Sequence, residues 1–327
     1  MSDDDILAPD TDTSSVLGRE RGFRHLTLLY SGDEGFLRGT LPFIGEALAG
    51  EEPVLVAVAR DRIELLKETL GDDASRVEFA DMHMLGSNPA RIIPGWRRFL
   101  DERAFDGRSV RGIGEPIWAE RSDEELTECQ RHESLLNLAF DGGQAWSLLC
   151  PYDVEALDDD VIRAAHESHP LIAEHGTLRR SELYPIGDAG QGVFAGRLPD
   201  CVVRPAELEF TGDELGAVRH AVTQVAADTP LPTARVQDLV LAVNELASNT
   251  IHHGGGIGKL RVWSDGPTLL CEVSDRGQIT EPLVGRIRPT PEQWSGRGLW
   301  LVNQVCDLTQ IRSDASGTTV RVHVGLR

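Results

Sequence analysis

Short apolar runs that alternate with amphipathic stretches predict a two-domain α/β protein, and two further observations support it. The chain has 327 residues, more than one ordinary hydrophobic core serves. Residues 176–205 hold four glycines (Gly187, Gly190, Gly192, Gly196) and three prolines (Pro185, Pro199, Pro205) with little periodicity, the composition of an interdomain linker.

The acidic, polar residues 1–22 read as a disordered leader. HLTLLY (25–30) then reads as a buried strand, and 34–49 as a helix with Phe36, Leu37, Leu41, Ile44 and Leu48 on one face. VLVAVA (54–59) gives a second strand, a helix follows at 61–70, and RVEFADM (76–82) gives a third strand. A helix around 89–104 precedes the apolar stretch VRGIGEPIW (110–118). A helix near 123–140, the run AWSLLCPYD (145–153) and a helix at 158–168 complete a first unit, residues 23–175. Strands alternating with helices imply a parallel sheet covered on both faces. A second α/β unit occupies 206–327, with no internal repeat.

The formal charge of -21 opposes nucleic-acid or anionic-membrane binding, which needs a positive field to displace counterions. It suits a basic protein partner or a nucleotide held with Mg²⁺, and equally suits solubility alone. No segment approaches the roughly 20 apolar residues of a membrane helix, and the polar N-terminus is unlike a signal peptide. Five scattered cysteines without a CxxC pair fit small core residues in a reducing compartment, so the expectation is a cytoplasmic protein.

The chemistry concentrates in the last third. The segment 234–256 reads as a long helix ended by glycines, with Val236, Leu239, Val243, Ala247 and Thr250 on one side. Asp238, Glu245, Asn249 and His252 gather on the other, and Glu245 and Asn249 stand four apart, so they point the same way. A solvated helix face would explain such residues taken alone. Three neighbours add to them. LLCEVSDRG (269–277) reads as a strand ending on Asp275 with Gly277 just beyond. SGRGLWLVNQVCD (295–307) runs from a Gly-x-Gly turn into a helix whose bare N–H groups suit phosphate. SGTTVRVHV (316–324) reads as a glycine turn and an alternating strand.

In that order, ELASNTIHH, SDRG, GRGLWLV and GTTVRV resemble the N-box, the two glycine boxes and the closing strand of the GHKL ATPases. The resemblance covers 206–327 and implies the Bergerat α/β sandwich, helices layered on a mixed sheet, binding ATP with Mg²⁺. It implies that Asn249 ligates Mg²⁺ and that Asp275 accepts from the adenine amino group, with Gly277 against the base. Gly296, Arg297, Gly298 and Leu299 would offer N–H groups to phosphate, and Thr318 or Thr319 would sit near Asp275. Glu245 is the natural general base for an incoming hydroxyl or water. Two departures stand out: Gln278-Ile279 replaces a second glycine, and the segment 278–295 between the boxes is short and polar.

Residues 207–228 read as one strand and one helix, without the two-helix dimerisation segment of a histidine kinase, and His220 reads as an ordinary helix residue. That start, with the short lid, resembles the anti-sigma-factor serine/threonine kinases. The likeness implies binding to a sigma factor, phosphorylation of a STAS-fold anti-anti-sigma partner, and a homodimer.

YSGDEGFLRGTLPF (30–43) has no Gly-Lys-Ser/Thr, so the P-loop is absent. HLTLLY, VRGIGEPIW, RHESLLN, LLCPYD and ESHPLI nevertheless resemble the MEDS sensory domain, a RecA-like module, over about 23–175. That likeness implies signal or ligand sensing. His25, Arg111, Glu115, Glu133 and Asp153 are the candidate sensory residues, read either as a pocket at the strand ends or as a buried ion-pair network. Cys129, His132 and Glu133 share a helical face and read as half of a metal site at most, with His166, His169 and His175 as further donors. The expectation is a regulatory switch, a sensor joined to a serine kinase. A non-catalytic ATP-dependent binding module and a histidine kinase are the alternatives.

Overall fold

The computed structural model describes residues 22–104, 107–141, 143, 145–174, 177–185, 192–290, 292–293 and 296–326. The leader expected at 1–22 lies outside these, apart from Gly22, as does His175.

The first unit contains β1 (Phe23–Tyr30), α1 (Gly32–Ala49), β2 (Val54–Val58), α2 (Arg60–Leu70) and β3 (Glu78–Asp81). A short α3 (Met82–Leu85), a 3-10 turn Pro89–Arg91 and α4 (Ile92–Arg103) come next. Then follow β4 (Val110–Gly114), α5 (Asp123–Ala139), β5 (Trp146–Asp153), α6 (Asp159–Ser168), β6 (Leu171–Glu174) and β7 (Thr177–Arg180). The strands form one sheet in the order β3-β2-β4-β5-β1-β6-β7, parallel except for the terminal β6–β7 pair. β2 is buried at all of its positions, as the run VLVAV requires when helices cover both faces. Leu26, Leu28, Val56 and Leu149 pack with Phe36, Ile44 and Leu66 of α1 and α2. Ala57, Leu148 and Tyr152 pack on the other face with Trp96, Leu136 and Ala165 of α4, α5 and α6. α5 starts on a full capping box, Ser122 and Glu125 exchanging side-chain-to-backbone hydrogen bonds.

The hairpin β6–β7 carries this sheet to Arg180, inside the stretch expected as linker. Other parts of that stretch lie against the second unit: Phe194 accepts from Ser313 N–H, and Pro199 accepts from Arg321.

The second unit comprises β8 (Ala206–Phe210), α7 (Leu215–Ala227), α8 (Thr233–His253), β9 (Gly258–Asp265), β10 (Thr268–Asp275), α9 (Arg297–Val305), β11 (Leu308–Asp314) and β12 (Gly317–Gly325). Its sheet runs β11-β12-β10-β9-β8, with α7, α8 and α9 layered on it. Every pairing is antiparallel, which corrects the mixed sheet expected. The core joins Leu239, Val243 and Leu246 of α8 to Val262, Leu269, Cys271 and Val322 of the sheet. Val222 and Val302 bring in α7 and α9.

The two units are bound together by polar contacts. Asn88 Nδ2 lies 3.2 Å from the carbonyls of both Asn303 and Cys306, and Arg91 donates to the same two carbonyls at 2.7 Å each. Those are the open carbonyls at the end of α9, so the first unit caps that helix. Arg312 of β11 and Arg131 of α5 both reach Glu128 Oε1, at 2.9 and 2.8 Å. Among the described residues, no helix is long and apolar enough to cross a membrane.

Candidate functional site

α8 carries the site because its apolar face is committed to the sheet. Leu239, Ala242, Val243, Leu246 and Ala247 are buried, which leaves Glu245 and Asn249 half-buried beside α9. α9 begins at Gly296, whose φ of 84° sets the turn that aims its first N–H groups inward. Gly298 supplies the second condition. A Cβ there would stand 3.0 Å from Glu245 Oε2 and 3.3 Å from Asn249 Nδ2, so glycine lets carboxylate, carboxamide and helix start approach each other without pushing either side chain aside.

Behind them lies a cavity of about 370 Å³, within the range of small-molecule sites. Its wall includes Asn249, Asp275, Gly277, Gly296, Gly298, Leu299 and Thr318. Asp275 is fixed from two sides: Thr250 donates to Oδ2 at 2.7 Å and Gly277 N–H to Oδ1 at 2.8 Å. Gly254, at the end of α8, packs so closely that a side chain there would overlap the Asp275 carboxylate. Thr318, opposite Asp275 in the sheet, donates to the Gly277 carbonyl at 2.8 Å and exchanges a hydrogen bond with Ser313, also 2.8 Å. Ser313 Oγ in turn accepts from Ile279 N–H at 2.8 Å, so Gln278-Ile279 runs as a fixed wall of the cavity.

The cavity thus presents a half-buried carboxylate at one end and helix N–H groups with a carboxamide at the other, while the Glu245 carboxylate stands beside Gly298 but outside the cavity wall. This donor set fits a nucleotide. Asp275 keeps acceptor capacity for an exocyclic amine, the start of α9 suits phosphates, and Asn249 is an oxygen ligand of the kind Mg²⁺ takes together with phosphate and water.

Several assignments change. Thr319 lies on the other face of β12 from Thr318 and does not line the cavity. Arg297 keeps its place for its backbone N–H at the start of α9, while its side chain is exposed, with Nη2 3.5 Å from the Thr290 carbonyl. His252 is exposed and bonds back to the Ser248 carbonyl at 2.8 Å, while its neighbour His253 lines the cavity. Thr250, counted in the apolar stripe, is a partner of Asp275. The missed residues Thr250, His253 and Gly254 are contiguous with the N-box, and their signal was adjacency to Asn249.

In the first unit the five candidate sensory residues do not converge. Arg111 bonds Glu52 at 2.6 Å and Glu46 at 2.9 Å, beside the start of β4. Glu115 and Asp153 sit past β4 and at the end of β5. Tyr30 donates to Glu115 at 2.6 Å, and Arg62, also paired with Asp33, lies 3.9 Å from Asp153. Burial raises the Glu115 carboxyl to about 7, against the opposing pull of the Tyr30 hydrogen bond and Arg62.

His25 and Glu133 belong to a third place, fully buried. His25 Nε2 and His169 Nε2 stand 3.1 and 3.3 Å from Glu133 Oε2, and Cys150 Sγ stands 3.4 Å from His25 Nε2. Cys129 and His132 point elsewhere: Cys129 Sγ contacts the Pro116 carbonyl at 3.4 Å, and neither ring nitrogen of His132 has a hydrogen-bond partner among the described residues. Burial lowers His132 to about 3. His166 lies outside the cluster.

Comparison with known proteins agrees with the two units. Residues 24–170 match the family described as MEDS (MEthanogen/methylotroph, DcmR Sensory domain), and residues 208–324 match the histidine kinase-like ATPase domain. The chain therefore joins a MEDS domain to a GHKL-type ATPase domain. Among solved structures it is similar to the RsbU and RsbW domains of Rv1364c from Mycobacterium tuberculosis, at 21% identity and a TM-score of 0.27, covering 37% of this chain and 32% of that one. It is also similar to the catalytic domain of histidine kinase ThkA, at 15% identity and a TM-score of 0.26, covering 37% of this chain and 96% of that one. A third is the Acinetobacter baumannii histidine kinase AdeS, at 14% identity and a TM-score of 0.23, covering 38% and 70%. No curated protein matches the chain.

Proposed function

We propose that the protein is an ATP- and Mg²⁺-dependent serine/threonine kinase of the anti-sigma-factor type, controlled by its MEDS domain. Its substrate would be a serine on a STAS-fold anti-anti-sigma protein, and its second partner a sigma factor. The observation that carries this reading is Glu245 beside Gly298 and Asn249, a carboxylate at the helix start that suits phosphate. Phosphoryl transfer is mostly positioning and charge stabilisation, so one oriented carboxylate suffices to accept the proton of an incoming hydroxyl. In the same reading Asp275 selects adenine, the N–H groups of Gly296 to Leu299 hold phosphates, and Asn249 holds the Mg²⁺ that neutralises them. Mg²⁺ when bound offsets charge that builds on the phosphate oxygens.

Control by the first domain is supported by its grip on α9. Asn88 and Arg91 cap the end of the helix whose start cradles phosphate, and Arg286, in the segment between the glycine boxes, donates to Pro89. A shift of the first domain would reach both parts of the ATP site.

The test is incubation with γ-labelled ATP and a STAS-fold protein from the same organism. Acid-stable label on the partner's serine, lost in Glu245→Ala, is the expected result. Acid-labile label on the protein itself would make it a histidine kinase, and nucleotide binding without transfer would make it a binding module. The same reading expects a homodimer, which light scattering measures.

A further inference from the structure

The buried cluster in the MEDS domain has the donors and spacing of a metal site. Its four side chains come from separate elements: His25 from β1, Glu133 from α5, Cys150 from β5 and His169 from the residue after α6. Their ligating atoms all lie within 4.8 Å of one another, and every residue is at most 1% exposed. We propose that His25, Glu133, Cys150 and His169 form a four-coordinate site for a divalent transition-metal ion of the zinc class.

Hydrogen bonding on the far side of each ring supports this. His169 Nδ1 lies 2.8 Å from the Ala165 carbonyl, which only accepts, so Nδ1 carries the proton. His25 Nδ1 lies 3.1 Å from Asn137 Oδ1, and Asn137 Nδ2 donates to the Ser168 carbonyl at 2.7 Å, which fixes Oδ1 as the acceptor facing His25. Both neutral rings therefore aim an Nε2 lone pair at the Glu133 carboxylate. Such outer partners are what metal-binding histidines use to fix their tautomer. Three electron-rich groups facing each other in a dry interior repel unless something positive stands between them.

The contacts are poor hydrogen bonds. Neither carboxylate oxygen of Glu133, nor His169 Nε2, has a hydrogen-bond partner among the described residues, despite separations of 3.1 and 3.3 Å. Donors aimed at a common centre have this arrangement, short along the edges but not pointed along them. A tetrahedral ion with bonds of about 2.0–2.3 Å spaces its donors about 3.3–3.7 Å apart. The distances of 3.1, 3.3 and 3.4 Å come close to that.

Charge selects the ion. A divalent cation with one carboxylate, one thiolate and two neutral imidazoles sums to zero, the balance that burial demands. Two nitrogens, one sulfur and one oxygen in a tetrahedron suit zinc rather than Mg²⁺ or Ca²⁺. On binding, the Cys150 S–H bond breaks, the sulfur–metal bond forms, and the proton leaves to solvent. With no exposed ligand, loading belongs to folding or to a transient opening. α5 also carries Glu128, five residues before Glu133, which bonds Arg312 of the ATPase domain, so the site stands one helix away from the domain contact.

Full-length protein freed of metal by a chelator during unfolding and refolding is titrated with Co²⁺ and, in parallel, with Zn²⁺. The expected result is one ion per chain, the intense visible bands of tetrahedral Co²⁺, a thiolate-to-cobalt charge-transfer band, and release of a proton. Cys150→Ser should remove the charge-transfer band and weaken binding by more than about 100-fold, as should His169→Gln, while Cys201→Ser leaves both unchanged. Binding well below one ion per chain, octahedral bands, or binding indifferent to both Cys150→Ser and His169→Gln overturns the proposal. Near-UV circular dichroism checks that the variants fold. If they do not, X-ray absorption at the zinc edge of the wild-type chain decides: a shell of two imidazoles with one sulfur and one oxygen supports the site, and any shell without sulfur refutes it.

Discussion

Replacing Asp275 by Asn tests the ATP site at its most constrained atom. The carboxylate takes Gly277 N–H on Oδ1 and the Thr250 hydroxyl on Oδ2, at 2.8 and 2.7 Å. In the variant the carboxamide oxygen keeps the Gly277 bond, because a backbone N–H can only donate. The amide nitrogen then faces Thr250, whose hydroxyl rotates to accept, so the fold loses little. The ligand side changes more. An acceptor for the adenine amine becomes a donor, and a hydrogen bond to a charged group is worth about 1.5–3 kcal/mol. ATP affinity should therefore fall by about 10- to 150-fold, at about 1.4 kcal/mol per factor of ten. GTP, which presents a carbonyl at that position, should lose much less, so the preference for ATP shrinks. Calorimetric titration of both nucleotides with Mg²⁺ measures this. ATP affinity within threefold of wild type, or equal losses for ATP and GTP, would refute the assignment of Asp275 to the base.

Gly298→Ala should leave thermal stability unchanged or raised, since alanine favours helix, yet lower phosphoryl transfer by about tenfold or more. Its Cβ would press on Glu245 and Asn249 at 3.0 and 3.3 Å, and a steady-state transfer assay with a melting curve reads both effects. Glu128→Ala leaves Arg312 buried without its carboxylate across the domain contact, which should cost about 3 kcal/mol and lower the urea midpoint, whereas Glu34→Ala on exposed α1 should change almost nothing. Glu115 gives a pH dependence. Its folded value of about 7 exceeds the ordinary 4.5, so the fold favours the protonated form, and stability present below about 4.5 is lost as pH rises through about 7. The loss is about 3 kcal/mol. Urea midpoints at several pH values should show the decline in wild type and a flatter profile in Glu115→Gln. Tyr30, Arg62, Asp61 and Asp153 face this carboxyl, and an unchanged slope in the variant would assign the titration to one of them.

The ATP-type cavity was legible in the sequence because its parts are local. Glu245 and Asn249 are one helical turn apart, Asp275 and Gly277 end one strand, and Gly296 and Gly298 open one helix, so spacing alone fixes which face each group takes on its own element. Where the spacing argument failed, tertiary packing had intervened. Thr250 counts as apolar by periodicity, but the approach of Gly254 to β10 brings Asp275 against its hydroxyl. Thr318 and Thr319 are equivalent in sequence, and only the register opposite Asp275 chooses between them. β9 and β11 carried no motif and appear only as neighbours of β10 and β12.

Chain order alone thus determined the two α/β units, the acidic net charge and the motif residues Asn249, Asp275, Gly277, Gly296 and Gly298 of the ATP-type cavity, each set by groups a few positions apart. The fate of the five candidate sensory residues required the fold. His25 and His169 are separated by most of the first domain and meet because β1 lies between β5 and β6, while Arg111, on β4, is drawn to Glu46 and Glu52 instead. The capping of α9 by Asn88 and Arg91 likewise joins residues more than 200 positions apart. Periodicity and motif report which face a residue takes on its own element. Which groups from other elements share that face is decided by strand order and packing, because those contacts have no fixed spacing along the chain.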